Sequence, residues 1–392
     1  MKILIIHNEY QQRGGEFQAV KDHITLLKSQ GHQVIEYIKD SRQINSYSRR
    51  QFVNFLPNSI YSYSSYKEIK KIVQNENPDI AHIHNVFPLI SPSVYKALHS
   101  GLIPIIQTVH NFRFLCPNGL FFVNQKICEL CKYGNTSYSV LKKCFRESYG
   151  LSSIYALSIG GNRLTKTFNL INQFIVLTEF SAQKLVESRL TTGNKISVLG
   201  NFIASPLPNI GIEGSREEYV VYIGRLSPEK GVRLLFQAGK LLKSTKILVI
   251  GTGPEMSVLQ DMKVEDSLSN IKLLGHITGE DKWDYIRKAS AVIIPSICYE
   301  TFSITSIEAM SVGTPVVASR LGSLPYVIED GKTGLLFEPG NHKDLAYKIS
   351  QLISKPELVN ELGINGRRAV EEKFSEVPYY KKLIHIYQEA IS

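Results

Sequence analysis

Apolar positions along the chain fall into two alternating patterns. Short unbroken runs such as Ile3-Leu4-Ile5-Ile6 read as buried strands, and segments with helical spacing follow them. Phe17, Val20, Ile24 and Leu27 recur at three- and four-residue steps, and Gly31 stands where such a helix would stop. The same reading predicts strands over 34–38, 80–83, 103–109, 174–178 and 196–199. After a turn-rich stretch, 201–215, the alternation restarts. It predicts strands over 219–223, 246–250, 271–274, 291–294 and 315–318, a helix over 232–242 and a last helix over 379–391. Strands alternating with helices predict an α/β protein with parallel, doubly wound sheets.

The restart at 201–215 divides the chain. The expected parts are a first Rossmann-like domain over 1–203 with a Cys-rich insertion at 111–150, a second over 204–376, and a terminal helix over 377–392 returning to the first domain. A length of 392 residues suits two domains of roughly 150–200 residues each. Ligands bind outside the carboxyl ends of parallel strands, so the site is expected in a cleft where two such domains face one another. No apolar run reaches the ~18–20 residues that span a bilayer. The opening run is too short for an export signal and is followed at once by His7, Asn8 and Glu9. The reading is therefore of a cytoplasmic chain whose five cysteines stay reduced.

Charge changes the picture. The formal net charge is +10, which suits nucleic acid, an anionic membrane or phosphorylated substrates. No zinc-finger pair or aromatic ribonucleoprotein box is present, so nucleic acid is not an expected partner. Between positions 41 and 73, Arg42, Arg49, Arg50, Lys67, Lys70 and Lys71 are interleaved with Phe52, Phe55, Tyr61, Tyr63 and Tyr66. Such a mixture suits the inner face of the plasma membrane. The competing reading is a solvated face with aromatics lining an acceptor groove.

Candidate chemistry lies just after the strands of the second half. Gly224-Arg225 follows the strand 219–223, and Lys230-Gly231 opens the next helix. Two cations beside a helix N-terminus suit a diphosphate, whereas the plain alternative is a surface turn with solvated charges. Glu300 and Glu308 would lie about 80° apart on one helix. Placing Glu300 in a loop and starting the helix between them is the better reading, because N–H groups of Thr301, Phe302, Ser303 and Ile304 could then meet an anion.

Taken together, Gly224-Arg225 with Lys230-Gly231, Gly251-Thr252-Gly253-Pro254, Gly275-His276, Pro295-Ser296, Glu300 through Glu308-Ala309-Met310 and Gly313-Thr314-Pro315 resemble the retaining glycosyltransferases of family 4, which have the GT-B fold. The first half matches more loosely through Gly14-Gly15-Glu16, Gly31-His32, the run 79–84 and Thr108-Val109-His110. The resemblance implies transfer of a sugar from a UDP- or GDP-sugar to a saccharide or polyprenyl-linked acceptor in polysaccharide or glycolipid assembly. By position, Arg225 and Lys230 would neutralise the donor diphosphate, Glu308 would hold ribose, and Glu300 would hold the transferred sugar. His110 would contact that sugar near its reacting carbon. Gly14, Gly15, Gly224, Gly253, Ile277 and the run from Thr301 to Ile304 would complete the donor site. Where the family often carries glycines, Thr301 and Ser303 stand here, which leaves the fit of the sugar open. No Asp-x-Asp motif is present, so donor binding is expected without metal, and catalysis without a cofactor. A sugar-nucleotide epimerase, a glycosyl phosphorylase or a non-catalytic sugar-nucleotide-binding partner would share this architecture.

Two clusters remain. His82 and His84 alternate on one strand; buried, hydrogen-bonded histidines are one reading, and His84 lining the cleft is the other. Cys116, Cys128, Cys131 and Cys144 fall within 29 residues. A Cys-x-x-Cys pair with flanking cysteines suits one structural Zn²⁺, against the alternative of four free thiols.

Overall fold

Strands that are apolar on both faces must be covered by helices on both sides, and each half of the chain builds such a sheet. The computed structural model describes residues 1–11, 14–204 and 216–392, and the backbone alone at 49, 50 and 52–54. Most of the stretch read as a linker, 205–215, therefore lies outside the described residues. The first sheet contains β1 (Lys2–Glu9), β2 (Gln33–Asp40), β3 (Ile80–Asn85) and β4 (Ile105–Val109). Two-residue strands β5 (Phe122–Val123) and β6 (Lys126–Ile127) follow, and the sheet resumes with β7 (Gln173–Val176) and β8 (Ile196–Val198). Its order is β2-β1-β3-β4-β7-β8, and all of its pairings are parallel. The second sheet contains β9 (Tyr219–Ile223), β10 (Lys246–Ile250), β11 (Ile271–Gly275), β12 (Ala291–Ile294), β13 (Val316–Ser319) and β14 (Gly334–Phe337). Its order is β11-β10-β9-β12-β13-β14, again parallel. The expected α/β class and paired doubly wound sheets are present.

The chain divides into two units, Met1–Val123 with Cys128–Asn201 and Tyr379–Ser392, and Phe202–Pro378 with Asn124–Ile127. The crossings fall near the sequence boundaries at 203 and 377. Ile203 belongs to the second unit, where its N–H donates to the Phe374 carbonyl and its backbone bridges Ser375. In the first unit, helix Gly15–Ser29 lays Val20, Ile24 and Leu27 on Ile3 and Ile5. Helix Glu376–Ile391 adds Leu383, Ile386 and Tyr387 to that cluster. The second core gathers Val220, Leu235, Phe236, Ile247, Val249, Ile293 and Phe337.

Three local expectations are corrected. β4 begins at Ile105, not at 103, because Pro104 has no N–H to donate; its carbonyl accepts from Ala81 instead. The helix after Gly231 is Val232–Gly239 and ends before 242, in turns where Leu241 and Leu242 donate to the carbonyls of Ala238 and Gly239. β14 was not expected at all.

Sheet order positions the chemistry. In the second sheet the chain lays β9, β10 and β11 outward on one side and β12, β13 and β14 outward on the other, so the order reverses between β9 and β12. A crevice opens at the carboxyl ends of strands at such a reversal. The residues that leave β9 are Gly224-Arg225, and those that leave β12 lead through Pro295 and Ser296 to Glu300.

Candidate functional site

Loops after β9, β10 and β12 press together at this reversal. A Cβ at Gly231, which has a φ of +67°, would lie 1.9 Å from the Pro295 carbonyl oxygen, and one at Gly253 would lie 2.2 Å from that of Leu226. Only glycine fits at either place. Backbone bonds fix the same contacts, from Leu226 N–H to the Thr252 carbonyl and from Ile297 N–H to the Glu229 carbonyl. The result is a rigid floor carrying charged side chains.

Lys230 and Glu300, which are 70 positions apart, meet on that floor, with Nζ 2.7 Å from Oε1. The Ser296 hydroxyl donates to the same oxygen at 2.6 Å. Burial works against the Lys230 ammonium, but the Glu300 carboxylate holds its pKa above the usual lysine range. Cys298 is buried alongside, and burial together with Glu300 keeps it a neutral thiol. Arg225 is exposed; its carbonyl accepts the Tyr222 hydroxyl, and its guanidinium makes no ion pair among the described residues. Gly224 precedes it at the strand end.

Helix Ile304–Ser311 begins four residues after Glu300, with Ser303 as its cap; the Ser303 hydroxyl accepts from Ser306 N–H. Glu300 is therefore in the loop and Glu308 on the helix. The segment Thr301–Phe302–Ser303–Ile304 leads into a helix start, where the first N–H groups have no partner within the helix. Ile307 and Met310 are fully buried and hold the helix down. Glu308 pairs with Lys282 at 2.6 Å. Ile277 is half-buried just beyond β11. Lys282 was not singled out in the sequence, and Ser296 only as part of the Pro295-Ser296 motif, yet they orient the two glutamates.

Gly14, Gly15 and His110 belong to the first unit. Gly14 is extended and caps helix Gly15–Ser29, and no described atom lies within 4 Å of where its Cβ would stand. His110 follows β4, and its Nε2 is 2.9 Å from Nδ1 of His84. His84 is one member of a buried group. His82 is bonded through both ring nitrogens, to the hydroxyls of Tyr387 and Thr108, each at 2.6 Å. His23 is bonded to Tyr387 at 3.2 Å and Tyr379 at 3.1 Å. Nε2 of His84 and Nδ1 of His7 are buried with no hydrogen-bond partner among the described residues. So His82 is a satisfied core histidine, and His84 is half satisfied. Burial lowers the pKa of all five, to about 4 for His7 and about 3 for His23 and His110, so all are neutral at pH 7. Beside them burial pushes the Glu16 carboxyl up to about 8, against the pull of Arg113 and Asn111.

The first unit also holds a pocket of about 610 Å³ at the end of β2. Lys39, Asp40, Tyr47, Gln51, Phe55 and Asn58 line it, a mixture of hydrogen-bonding groups and ring faces. Phe55 thus faces this pocket, whereas Tyr61 and Tyr63 are 40% and 57% exposed. The Lys67 and Lys70 ammonium groups lie over the rings of Tyr63 and Tyr66, at 4.5 Å and 5.9 Å. The side chains of Arg49, Arg50 and Phe52, also named in that basic and aromatic stretch, lie outside the described residues. No helix among the described residues is long and apolar enough to cross a membrane. Cys116, Cys128, Cys131 and Cys144 are free thiols in the segment after β4.

Family profiles, relatives and solved structures match this chain. The family profile described as "Glycosyl transferases group 1" matches residues 208–369, and "Glycosyltransferase Family 4" matches residues 13–205. An uncharacterized glycosyltransferase of Methanocaldococcus jannaschii is 26% identical over 99% of this chain and 98% of its own length. The capsular polysaccharide biosynthesis glycosyltransferase CapM of Staphylococcus aureus is 30% identical over 54% of this chain and 60% of its own. Among solved structures, Anabaena HepE in complex with UDP superposes with a TM-score of 0.70 at 16% identity, covering 99% of this chain and 100% of that one. With two parallel-sheet units and the two profiles matched one after the other along the sequence, this chain belongs to the family 4, group 1 type of glycosyltransferase with the GT-B fold.

Proposed function

We propose that this glycosyltransferase is a retaining enzyme that takes a sugar from a UDP- or GDP-sugar without metal and gives it to a saccharide or polyprenyl-linked acceptor in cell-envelope polysaccharide or glycolipid assembly. The carrying observation is the Lys230–Glu300 pair together with Arg225, which makes no ion pair among the described residues, at the carboxyl ends of β9 and β12. In this reading Arg225 and Lys230 take the diphosphate and stabilise the charge it gains as the sugar leaves. Lys230, already bonded to Glu300, couples the two halves of the donor: the lysine faces phosphate, and the carboxylate accepts sugar hydroxyls. Glu308, steadied by Lys282, accepts from ribose. His110, kept neutral by burial, contacts the sugar without adding positive charge near the reacting carbon. The acceptor attacks from the face the diphosphate leaves, so the leaving group's own oxygen can receive the acceptor's proton and anomeric configuration is kept. UDP in the structure of HepE and the capsular role named for CapM support the donor and pathway parts of this reading.

The test is a thermal-shift screen against nucleoside diphosphates and their sugars. A true donor at a hundredfold excess over Kd adds about 2.7 kcal/mol of stability, and the same gain is expected with EDTA present. A gain that vanishes with EDTA and returns only with Mg²⁺ or Mn²⁺ would refute metal-free binding. No gain from any nucleotide would refute the donor site.

The exposed basic and aromatic face of helix Tyr63–Glu76 supports docking on an anionic membrane, with the pocket beside Phe55 left for the acceptor. Each basic residue near a charged surface contributes about 1 kcal/mol. Replacing Lys67, Lys70 and Lys71 with glutamate should therefore weaken vesicle co-sedimentation by at least about 10²-fold. Binding that is indifferent to salt and to these changes would count against the membrane.

A further inference from the structure

We propose that Cys116, Cys128, Cys131 and Cys144 form a closed four-thiolate site for one zinc ion that cross-links the segment between β4 and helix Tyr149–Leu164. The four cysteines come from separate turns yet line one pocket of about 10 Å³, together with Asn118, Phe122, Tyr138 and Lys142. That is room for one small ion. Cys116 and Cys131 are buried, and Cys128 and Cys144 half-buried.

Local backbone explains the convergence. Cys116 opens a turn closed by Gly119 N–H on its carbonyl, and Cys131 opens another closed by Gly134. The Cys128 and Cys144 N–H groups are anchored on the carbonyls of Phe121 and Ser139. Cys128 and Cys131 form the two-residue-spaced chelate, and the outer pair closes the tetrahedron.

Second contacts suit thiolates. Backbone N–H groups of Phe121, Asn118 and Gly119 lie within reach of the Cys116 sulfur, and that of Ser139 within reach of the Cys131 sulfur. Such donors to the ligand sulfurs are a usual feature of metal–thiolate sites. Lys142, in the pocket wall, offsets part of the negative charge of a four-thiolate zinc centre.

Phe121, Asn124, Gln125, Lys143, Arg146 and Glu147 all adopt left-handed φ values, which non-glycine residues keep only when their surroundings enforce them. Among the described residues, the group whose ligand atoms already lie within 4.8 Å of one another is His23, His82 and His84; the four sulfurs line one pocket but must draw closer to hold the ion. Apart from Nε2 of His84, the nitrogens of that histidine group are engaged by Tyr387, Tyr379, Thr108 and His110, so an ion there would have to displace the bonds formed at His23 and His82. The thiol group has one such competitor, the Cys116 bond to Asn118. With four protein ligands no position stays open for substrate, so the zinc is structural.

The test is elemental analysis of full-length protein purified without added metal or chelator. About one zinc per chain is expected, retained in Cys298→Ser and lost in Cys128→Ser combined with Cys131→Ser. Cobalt exchanged for zinc should show intense thiolate charge-transfer and tetrahedral ligand-field bands. Should the double variant fail to fold, the metal content and cobalt spectrum of the unmodified chain still decide. Folded protein with no bound metal and four freely alkylated thiols overturns the proposal, as does bound iron or a disulfide among these cysteines. None of these outcomes depends on sugar transfer.

Discussion

Lys230→Ala is expected to slow sugar transfer by about 10²- to 10³-fold, the range for losing one preorganised group that meets transition-state charge. Two losses combine. The leaving diphosphate loses a cation, and Glu300 loses the partner that fixes its rotamer, keeping only the Ser296 hydroxyl. Arg225→Ala should fall by a similar factor through the first loss alone, because its guanidinium holds no ion pair among the described residues. Both variants should stay folded, since the loops are held by backbone bonds and glycine contacts that neither substitution touches. A useful contrast is Glu300→Gln, which keeps the Ser296 bond but not the charge pair. Release of nucleotide from the donor found by thermal shift is the readout. Wild-type turnover by both cation variants would remove Arg225 and Lys230 from the mechanism.

Acid should unfold this protein early. His7, His23, His82 and His84 are buried and neutral, whereas in the unfolded chain histidine titrates near 6.5. Below that value the unfolded state takes up protons that the folded state refuses. The stability of the neutral cluster is therefore complete above about pH 6.5 and lost as pH falls toward the folded values. Each histidine costs about 1.4 kcal/mol per pH unit in that window. Glu16 acts the other way: its carboxyl is held up to about 8, so the fold gains stability as it protonates. With His110, which burial likewise holds neutral, the six groups give a net loss of about 4 kcal/mol between pH 7.5 and 5.5, steepening below. Urea unfolding at the two pH values measures it. Stability that is flat or rises toward pH 5.5 would mean the cluster already binds protons in the fold.

Parts of this architecture were legible for physical reasons. Parallel strands covered on both faces need unbroken apolar runs, and Ile3 to Ile6 or Tyr219 to Ile223 announce themselves that way. β14 did not, because it opens on Gly334, which reads as a turn. The structure shows why glycine stands there: a Cβ would lie 2.4 Å from the Val316 carbonyl. Glu300 and Glu308 were visible as a pair, as was Lys230, but the pairing of Lys230 with Glu300 and the partner of Glu308 were not. Lys282 reaches Glu308 across 26 positions from another helix, a contact that only the sheet order creates. His23 was hidden by its own regularity, since it sits in helical step with Val20 and Leu27 and looks like one more core position. The cysteines were the reverse case, conspicuous in sequence because no packing pattern explains them.

The helix that returns from the second unit bears on how the chain comes to fold during synthesis. His23 meets Tyr387 across 364 positions, and Leu383 and Ile386 lie on Ile3 and Ile5. The strands that leave the ribosome first are therefore without part of their cover until Tyr379–Ser392 has emerged. In the meantime nearly all of the second unit, Phe202–Pro378, can condense around its own sheet. Translation order and completion order are thus inverted: the half made first finishes last. In the interval, an apolar strip on helix Gly15–Ser29 and an open histidine group are exposed to whatever chaperone attends the nascent chain.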